Sequence, residues 1–211
     1  MENDTTSLLD EVAKYYTEKL VEHGDTPRGV DWNDEEGQIV RFSQLCKIID
    51  SQKSKFSLND LGCGYGALLD YLREKHAALT YLGVDVSHEM IKVAEQRHAT
   101  ADRARFITSA EPDEVADYGV ASGIFNVRLG RSDAEWFDYL QGTLDVLDQT
   151  SSLGFAFNCL TSYSDEYKMR DFLYYADPCR LFDLCKRRYS RQVALLHDYG
   201  LYEFTIIVRK V

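Results

Sequence analysis

The sequence predicts an α/β fold in which two N-terminal helices precede a mostly parallel sheet that is closed by an antiparallel hairpin. Apolar strands and amphipathic helices alternate between Phe56 and Cys159, a pattern typical of repeated βα units. Near the end of the chain two strands follow each other without a helix and meet across Tyr199-Gly200, which predicts an antiparallel pair. A turn that contains three glycines follows the first strand.

The two N-terminal helices are predicted from apolar spacing and from loop signals. Apolar residues recur at helical spacing from Leu8 to Val21, and this helix ends near Gly24. Residues 25–33 carry loop signals, and Asn33 is a candidate N-cap for the second helix. We therefore predict a single domain, in which residues 1–52 form a helical cap and residues 56–211 form the core.

The elements of the core are predicted in a regular order. Strands after the first are expected at residues 79–85, 105–108, 117–126, 154–159, 192–197 and 202–209. Helices are expected at residues 67–75, 87–98 and 133–147. Between residues 164 and 188 two helical stretches flank Asp177-Pro178.

The turn after the first strand reads Asp60-Leu61-Gly62-Cys63-Gly64-Tyr65-Gly66. Glycine permits positive φ angles and, without a Cβ, lets a ligand approach the main chain closely. A dinucleotide-binding turn has its last glycine one position later, and a P-loop ends in Gly-Lys-Ser/Thr. The spacing therefore predicts a cofactor-binding turn of another kind.

This turn resembles the first motif of the class I S-adenosylmethionine-dependent methyltransferases. Val84-Asp85-Val86-Ser87 is similar to the second motif, and Asp85 ends the next strand nineteen residues past Gly66. The resemblance extends from about Phe56 to Val211. It implies a three-layer sandwich with a seven-stranded, mostly parallel sheet whose last strand inserts antiparallel beside the sixth, and it implies S-adenosyl-L-methionine as the cofactor.

The resemblance also implies where the cofactor binds. The expected cofactor-binding residues are Asp60, Gly62, Cys63, Gly64, Asp85, Val86, Ser109, Ala110, Asn126, Tyr16 and Trp32. Asp85 offers its two carboxylate oxygens to the ribose hydroxyls. Asp60 lies beneath the glycine turn and reaches the methionyl amino group through backbone or water. Ser109-Ala110 contact the adenine ring, although many family members have an acidic residue there.

Several of these positions have an alternative structural role. Asn126 either lies beside the methionyl moiety or caps the turn after the fourth strand. Tyr16 and Trp32 belong to the N-terminal cap, which in this family often closes over the cofactor, but Trp32 equally suits packing of the cap onto the sheet. In the same cap, Arg28 or Arg41 is expected to pair with the methionyl carboxylate.

The candidate catalytic residues are Asn158, Tyr163, Tyr175 and His197. Asn158 lies at the end of the fifth strand and Tyr163 just after it, where substrates meet the sulfonium, and the alternative is a polar turn. Tyr175 belongs to a stretch rich in tyrosines that either lines a pocket or packs a helix. His197 is the best general base by residue type, yet its strand pattern equally suits a core residue, which we expect.

Composition restricts the partners. The chain of 211 residues has a net charge of −11 and a pI near 4.9, which argues against nucleic acid as a partner. The five cysteines form no C-x-x-C pair, so we predict no metal site and no disulfide framework. The polar N-terminus and the lack of a long apolar run predict a cytoplasmic protein without membrane insertion. A small-molecule substrate is the expected partner, and a homodimer is left open.

The resemblance implies methyl transfer from S-adenosylmethionine to the oxygen or nitrogen of a small molecule. Phe125-Asn126-Val127-Arg128 lacks the prolines of relatives that methylate adenine N6 or glutamine, so those acceptors are disfavoured. One alternative is attack on the aminocarboxypropyl chain, within the cofactor or by an acceptor, which would release methylthioadenosine. Another is a subunit that binds the cofactor without catalysis.

Overall fold

The computed structural model describes residues 2–210, with side chains from Leu8 to Lys210. The strands are β1 (Lys55–Leu61), β2 (Ala78–Asp85), β3 (Ala104–Thr108), β4 (Ala116–Ala121), β5 (Ser151–Leu160), β6 (Gln192–Leu196) and β7 (Glu203–Arg209). They form one sheet in the order β3-β2-β1-β4-β5-β7-β6. The first five strands are parallel, and β7 runs antiparallel between β5 and β6. The predicted seven-stranded sheet with its closing hairpin is confirmed.

Within residues 2–210, six α-helices accompany the sheet. They are α1 (Glu2–His23), α2 (Glu35–Leu45), α3 (Ala67–Arg73), α4 (His88–Arg97), α5 (Asp133–Gln149) and α6 (Pro178–Arg188). Short 3-10 helices occupy Pro27–Val30, Cys46–Ile48 and Glu166–Lys168. None of the helices within residues 2–210 is long and apolar enough to cross a membrane.

The helices cover both faces of the sheet, which gives three layers. On one face α2, α3 and α4 bury apolar side chains such as Phe42 and Leu68 against the strands. On the other face α1, α5 and α6 contribute residues such as Val12, Leu144 and Leu181. Burial of apolar surface on both faces explains why the parallel strands are apolar along most of their length.

The connection from β3 to β4 affects the face of the sheet that α1, α5 and α6 cover. Residues 109–115 make this crossover without a helix. Val12 of α1 packs in the same apolar cluster as Leu82 and Val84 of β2, so the N-terminal helix covers part of the sheet there. Space is left between α1, α5 and the sheet, next to the glycine turn.

Two predicted strands end earlier than expected. The fourth strand stops at Ala121, because Gly123 has a φ of 78° and its carbonyl accepts a hydrogen bond from Asn126 N, which closes a turn. Asn126 therefore follows this turn and does not end the strand. The sixth strand stops at Leu196, so His197 lies in the loop between β6 and β7.

Two helix boundaries also differ from the prediction. The N-cap of α2 is Asp34 and not Asn33, because the Asp34 carboxylate accepts a hydrogen bond from Gly37 N at 2.7 Å. Of the two helical stretches predicted around Asp177-Pro178, only α6 is an α-helix, and Asp177 caps it. The earlier stretch contains only the short 3-10 helix at Glu166–Lys168.

Candidate active site

The glycine turn is tied to the neighbouring strand β2. Gly62 N and Cys63 N both donate to the carbonyl of Val84, at 2.7 and 3.0 Å. Gly62 and Gly64 have φ angles of 76° and 53°, which favour glycine over residues with a Cβ. The chain can therefore turn at the end of β1 and present its backbone to the space above the sheet.

Asp85 links the turn to the start of α4. Its Oδ2 accepts a hydrogen bond from Gly64 N and its Oδ1 accepts one from Ser87 N, both at 2.9 Å. Burial raises the pKa of Asp85, and the hydrogen bonds from the backbone amides act in the opposite direction. A carboxylate fixed in this way is a preorganised acceptor at the edge of the sheet.

Asp60 lies underneath the turn. It is only 2% exposed, and Tyr81 Oη donates a hydrogen bond of 2.5 Å to its Oδ2. Burial raises the pKa of Asp60 to about 7, although the bond from Tyr81 lowers it, and the nearby Asp85 raises it further. The Asp60 side chain is not among the groups that line the cavity described next.

A cavity of about 480 Å³ opens at the carboxyl ends of β1, β2 and β4. Its volume is typical of small-molecule sites, which range from about 300 to 1,000 Å³. The expected cofactor-binding residues that line it are Tyr16, Trp32, Gly62, Gly64, Asp85, Val86, Ser109 and Ala110. Cys63 does not line it, because its side chain packs into the apolar cluster on the opposite face of the sheet.

Asn126 is also outside the cavity lining. Its Oδ1 accepts a hydrogen bond from Leu160 N at 3.0 Å, and its carbonyl accepts one from Tyr174 N. It therefore joins the turn after β4 to the end of β5 and to the segment that follows. The Asn126 side chain thus bonds to β5 and does not cap the turn after β4, which differs from the structural alternative.

Several cavity residues are absent from the sequence-based prediction. They include Leu8, Leu9 and Val12 of α1, Glu135, Asp138, Tyr139, Gly142, Thr143 and Val146 of α5, Glu111 after β3, and Arg131 before α5. The spacing within α5 is a helical one, so these residues share one face of the helix. That spacing is visible in the sequence. Apolar and polar residues alternate too irregularly on this face, however, to distinguish a helix face that lines a cavity from one that faces solvent.

The N-terminal cap contacts the turns directly. An ideal Cβ added at Gly123 would lie 2.3 Å from the Trp32 ring, and one added at Gly64 would lie 2.9 Å from Val30 Cγ1. Trp32 therefore both lines the cavity and packs the cap onto the turn after β4. The packing alternative is therefore observed, and contact of Trp32 with the cofactor stays a prediction.

Arg41 pairs with a carboxylate of the same chain. Its guanidinium forms an ion pair with Glu203, with Nη2 at 2.8 Å from Oε1, and stacks on Trp32 with Cζ 3.8 Å from the ring centroid. It does not line the cavity, and neither does Arg28, which is exposed. The expected pairing with a methionyl carboxylate is therefore not supported by the position of either arginine.

None of the four candidate catalytic residues lines the cavity. Asn158 is closest to it, because its Oδ1 accepts a 2.7 Å hydrogen bond from Gly123 N. Tyr163 is 69% exposed, and the hydroxyl of Tyr175 accepts a hydrogen bond from Arg170 N. His197 is exposed, so the expectation of a core histidine is wrong: it follows the end of an edge strand.

Comparison with known proteins places the chain among methyltransferases. A family described as "Methyltransferase domain" matches residues 59–150. "Putative methyltransferase Rv1506c" from Mycobacterium tuberculosis is 64% identical over 155 residues, which cover 74% of this chain and 93% of that protein.

Two solved structures share the fold at low sequence identity. The N-methyltransferase NodS from Bradyrhizobium japonicum, in complex with S-adenosyl-L-homocysteine, has a TM-score of 0.66 at 15% identity and covers 94% of this chain and 97% of its own. The DhpI complex with SAH has a TM-score of 0.64 at 14% identity and covers 95% of each chain.

Proposed function

Because the chain belongs to the class I S-adenosylmethionine-dependent methyltransferases, we propose that it transfers the methyl group of S-adenosylmethionine to a small-molecule acceptor in the cavity. In the proposed complex the ribose hydroxyls donate to Asp85, and the methionyl part lies on the backbone of Gly62 and Gly64. Adenine lies between Val86 and the Ser109-Ala110 turn. The preorganised Asp85 carboxylate supports this arrangement.

Partial cover of the cavity by the cap and by α1 is the observation that favours a small acceptor. The cap packs on the turns through Val30 and Trp32, and α1 covers the cavity with Leu8 and Val12. We infer that a small molecule reaches the cavity beside these elements more readily than a folded macromolecule does. The part of the cavity between α1 and α5 is free for a small molecule with an apolar body.

The side chains around the cavity support an amine as the reacting group. Of the described lining residues none is a histidine, and burial raises the pKa of Tyr139 to about 12 and that of Tyr16 well above its ordinary value. These groups cannot act as bases toward an alcohol near neutral pH. By contrast, four carboxylates and one cation, Arg131, are among the described lining residues, and this excess of negative charge attracts an ammonium group.

The proposed reaction is an in-line displacement. The bound ammonium first loses a proton to water or to a lining carboxylate. The neutral amine nitrogen then forms a bond to the methyl carbon, the carbon–sulfur bond breaks, and its electron pair returns to sulfur, which leaves as a neutral thioether. The extra proton on nitrogen passes to water or to a lining carboxylate. Positioning alone supplies roughly 7 kcal/mol or more to such a reaction, so the lack of a dedicated base is no obstacle.

The products of a single incubation test this proposal. With S-adenosylmethionine and a panel of apolar primary and secondary amines, we expect S-adenosylhomocysteine and an acceptor heavier by one methyl group, both measured by mass spectrometry. Matched alcohols are expected to remain unmodified. Methylthioadenosine as the nucleoside product, or cofactor binding without turnover of any acceptor, would contradict methyl transfer by this chain alone.

Gly142 supplies both the control variant and the test variant for locating the acceptor, and the control variant has an expected effect of its own. A Cβ at this position in α5 would meet nothing within 4 Å, and the residue lines the cavity. Gly142→Ala is expected to stabilise the protein by about 0.5 to 1 kcal/mol, because glycine disfavours a helix interior. Chemical denaturation of both proteins measures this difference.

Gly142→Leu extends a side chain into the space proposed for the acceptor. We expect kcat/KM for the acceptor to fall by about tenfold or more, while the Kd for S-adenosylmethionine stays within about twofold of the wild-type value. Gly142→Ala serves as the matched control, because it makes the same backbone change without filling the space. Equal turnover by the leucine and alanine variants would place the acceptor elsewhere.

A further inference from the structure

Three buried polar side chains connect the end of β4 to the N-terminal cap. Asn158 is fully buried, and the side chains of Glu203 and Arg41 are 1% and 11% exposed. Arg41 Nε donates to both carboxylate oxygens of Glu203 at 2.9 Å, and Asn158 Nδ2 donates to Glu203 Oε2 at 3.0 Å. Burial of an ion pair is costly unless its remaining hydrogen-bonding positions are satisfied, as they are here.

The orientation of the Asn158 amide is determined by its two partners. Its Oδ1 must accept from Gly123 N, and its Nδ2 must donate to Glu203. A flip of the amide would place a donor against the Gly123 amide and an acceptor against a carboxylate. Glu203 therefore dictates how Asn158 holds the backbone of Gly123.

The contacts form a closed ring. Arg41 stacks on Trp32, and the Trp32 ring leaves no room for a Cβ at Gly123. Trp32 and Gly123 both line the cavity, whereas the three polar side chains do not. The polar side chains therefore lie behind two walls of the cavity and act on it only through those walls.

We propose that Asn158, Glu203 and Arg41 are positioning residues that hold two walls of the cofactor site in their binding geometry. They set the place of the Gly123 amide and of the Trp32 ring before the cofactor arrives. Ordering these groups in advance removes an entropic cost from binding, so the affinity for S-adenosylmethionine depends on residues that never touch it. This inference rests on cofactor binding in the cavity but not on the identity of the acceptor.

Binding of S-adenosylmethionine, measured by calorimetry without an acceptor, tests the inference. Asn158→Asp places a second carboxylate beside Glu203, and Glu203→Gln removes a carboxylate oxygen that accepts from Arg41 and Asn158. Each change is expected to weaken binding by about tenfold or more. Asn59→Ala is the matched control: Asn59 is 1% exposed and donates to the carbonyls of Glu114 and Thr150, away from the cavity.

The double variant N158D/E203Q separates positioning from a general loss of stability. It keeps one negative charge and reverses the bond, so that the new glutamine amide donates to the new aspartate, which still accepts from Gly123 N. We expect this double variant to regain most of the affinity that either single variant loses. The control N59A is expected to lose stability while its Kd stays within about twofold of wild type.

The fluorescence of Trp32 provides a second readout. The emission of Trp32, obtained as the difference between proteins with and without Trp32→Phe, is expected to become more accessible to iodide in N158D and to recover in N158D/E203Q. Unchanged affinity and unchanged quenching in both single variants would overturn the inference. If the wild-type protein itself failed to bind S-adenosylmethionine, the proposed function would fall instead.

Discussion

Replacement of Asp85 by alanine is expected to weaken S-adenosylmethionine binding by about 100-fold or more. Hydrogen bonds to a charged group contribute about 1.5 to 3 kcal/mol each, and the proposed complex has two of them, to the ribose hydroxyls. The substitution also removes the acceptors for Gly64 N and Ser87 N, which shape the turn and the start of α4. Isothermal titration of the cofactor measures the effect directly.

Two further variants make this prediction specific. Asp85→Asn keeps one acceptor oxygen and the size of the side chain, so its affinity should lie between those of the wild type and the alanine variant. Asp117→Ala is the control. Asp117 also accepts a hydrogen bond from a backbone amide, that of Ser57 at 2.9 Å, but it lies at the opposite end of the parallel strands. Equal losses of affinity in the alanine variants at 85 and 117 would remove Asp85 from the cofactor site.

Asp60 is expected to make the stability of the fold depend on pH near neutrality. Its pKa is raised from 3.8 to about 7, so the protonated form is favoured in the folded state. Protonated Asp60 stabilises the folded state fully at pH values below the ordinary pKa of an aspartate. This stabilisation is lost as the pH rises through the pKa of Asp60 in the folded state, at roughly 1.4 kcal/mol per pH unit. Between about pH 5 and pH 8 the wild type should lose up to about 3 kcal/mol relative to Asp60→Asn.

Urea denaturation of both proteins across this pH range measures the difference and cancels the contributions of other groups. Tyr81→Phe gives an independent check. The Tyr81 hydroxyl lowers the pKa of Asp60 through its hydrogen bond, so loss of the hydroxyl should shift the pH-dependent region upward. A difference between wild type and Asp60→Asn that does not change with pH would contradict a neutral Asp60 in the folded protein.

The sequence predicts the cavity-lining turn well because its determinants are local. Gly62, Gly64 and Asp85 are recognisable from their own spacing and from the strands that precede them, and all three line the cavity. The order of strands and helices follows from periodicity for the same reason. Short-range patterns therefore account for the architecture and for one half of the site.

The other half of the site depends on contacts between distant segments. Which face of α5 lines a cavity depends on where α1 packs, and α1 occupies that position because the β3–β4 connection has no helix. Tyr163 is predicted from its place after the fifth strand and His197 from its residue type, yet both side chains are exposed and their rings contact each other away from the cavity lining. Asn158 does not line the cavity itself. Its partner Glu203 is at the start of a strand that sequence alone does not place beside Asn158.

The antiparallel direction of β7 has a consequence for synthesis of the chain. Because this strand runs against its neighbours, its first residue, Glu203, arrives at the edge where the parallel strands end, opposite Leu160. Its partner Arg41 was made 162 residues earlier. A nascent chain on the ribosome can thus fold its glycine turn and its cap long before the ion pair that joins them exists. The capacity to bind cofactor tightly should appear only when the last strand has emerged.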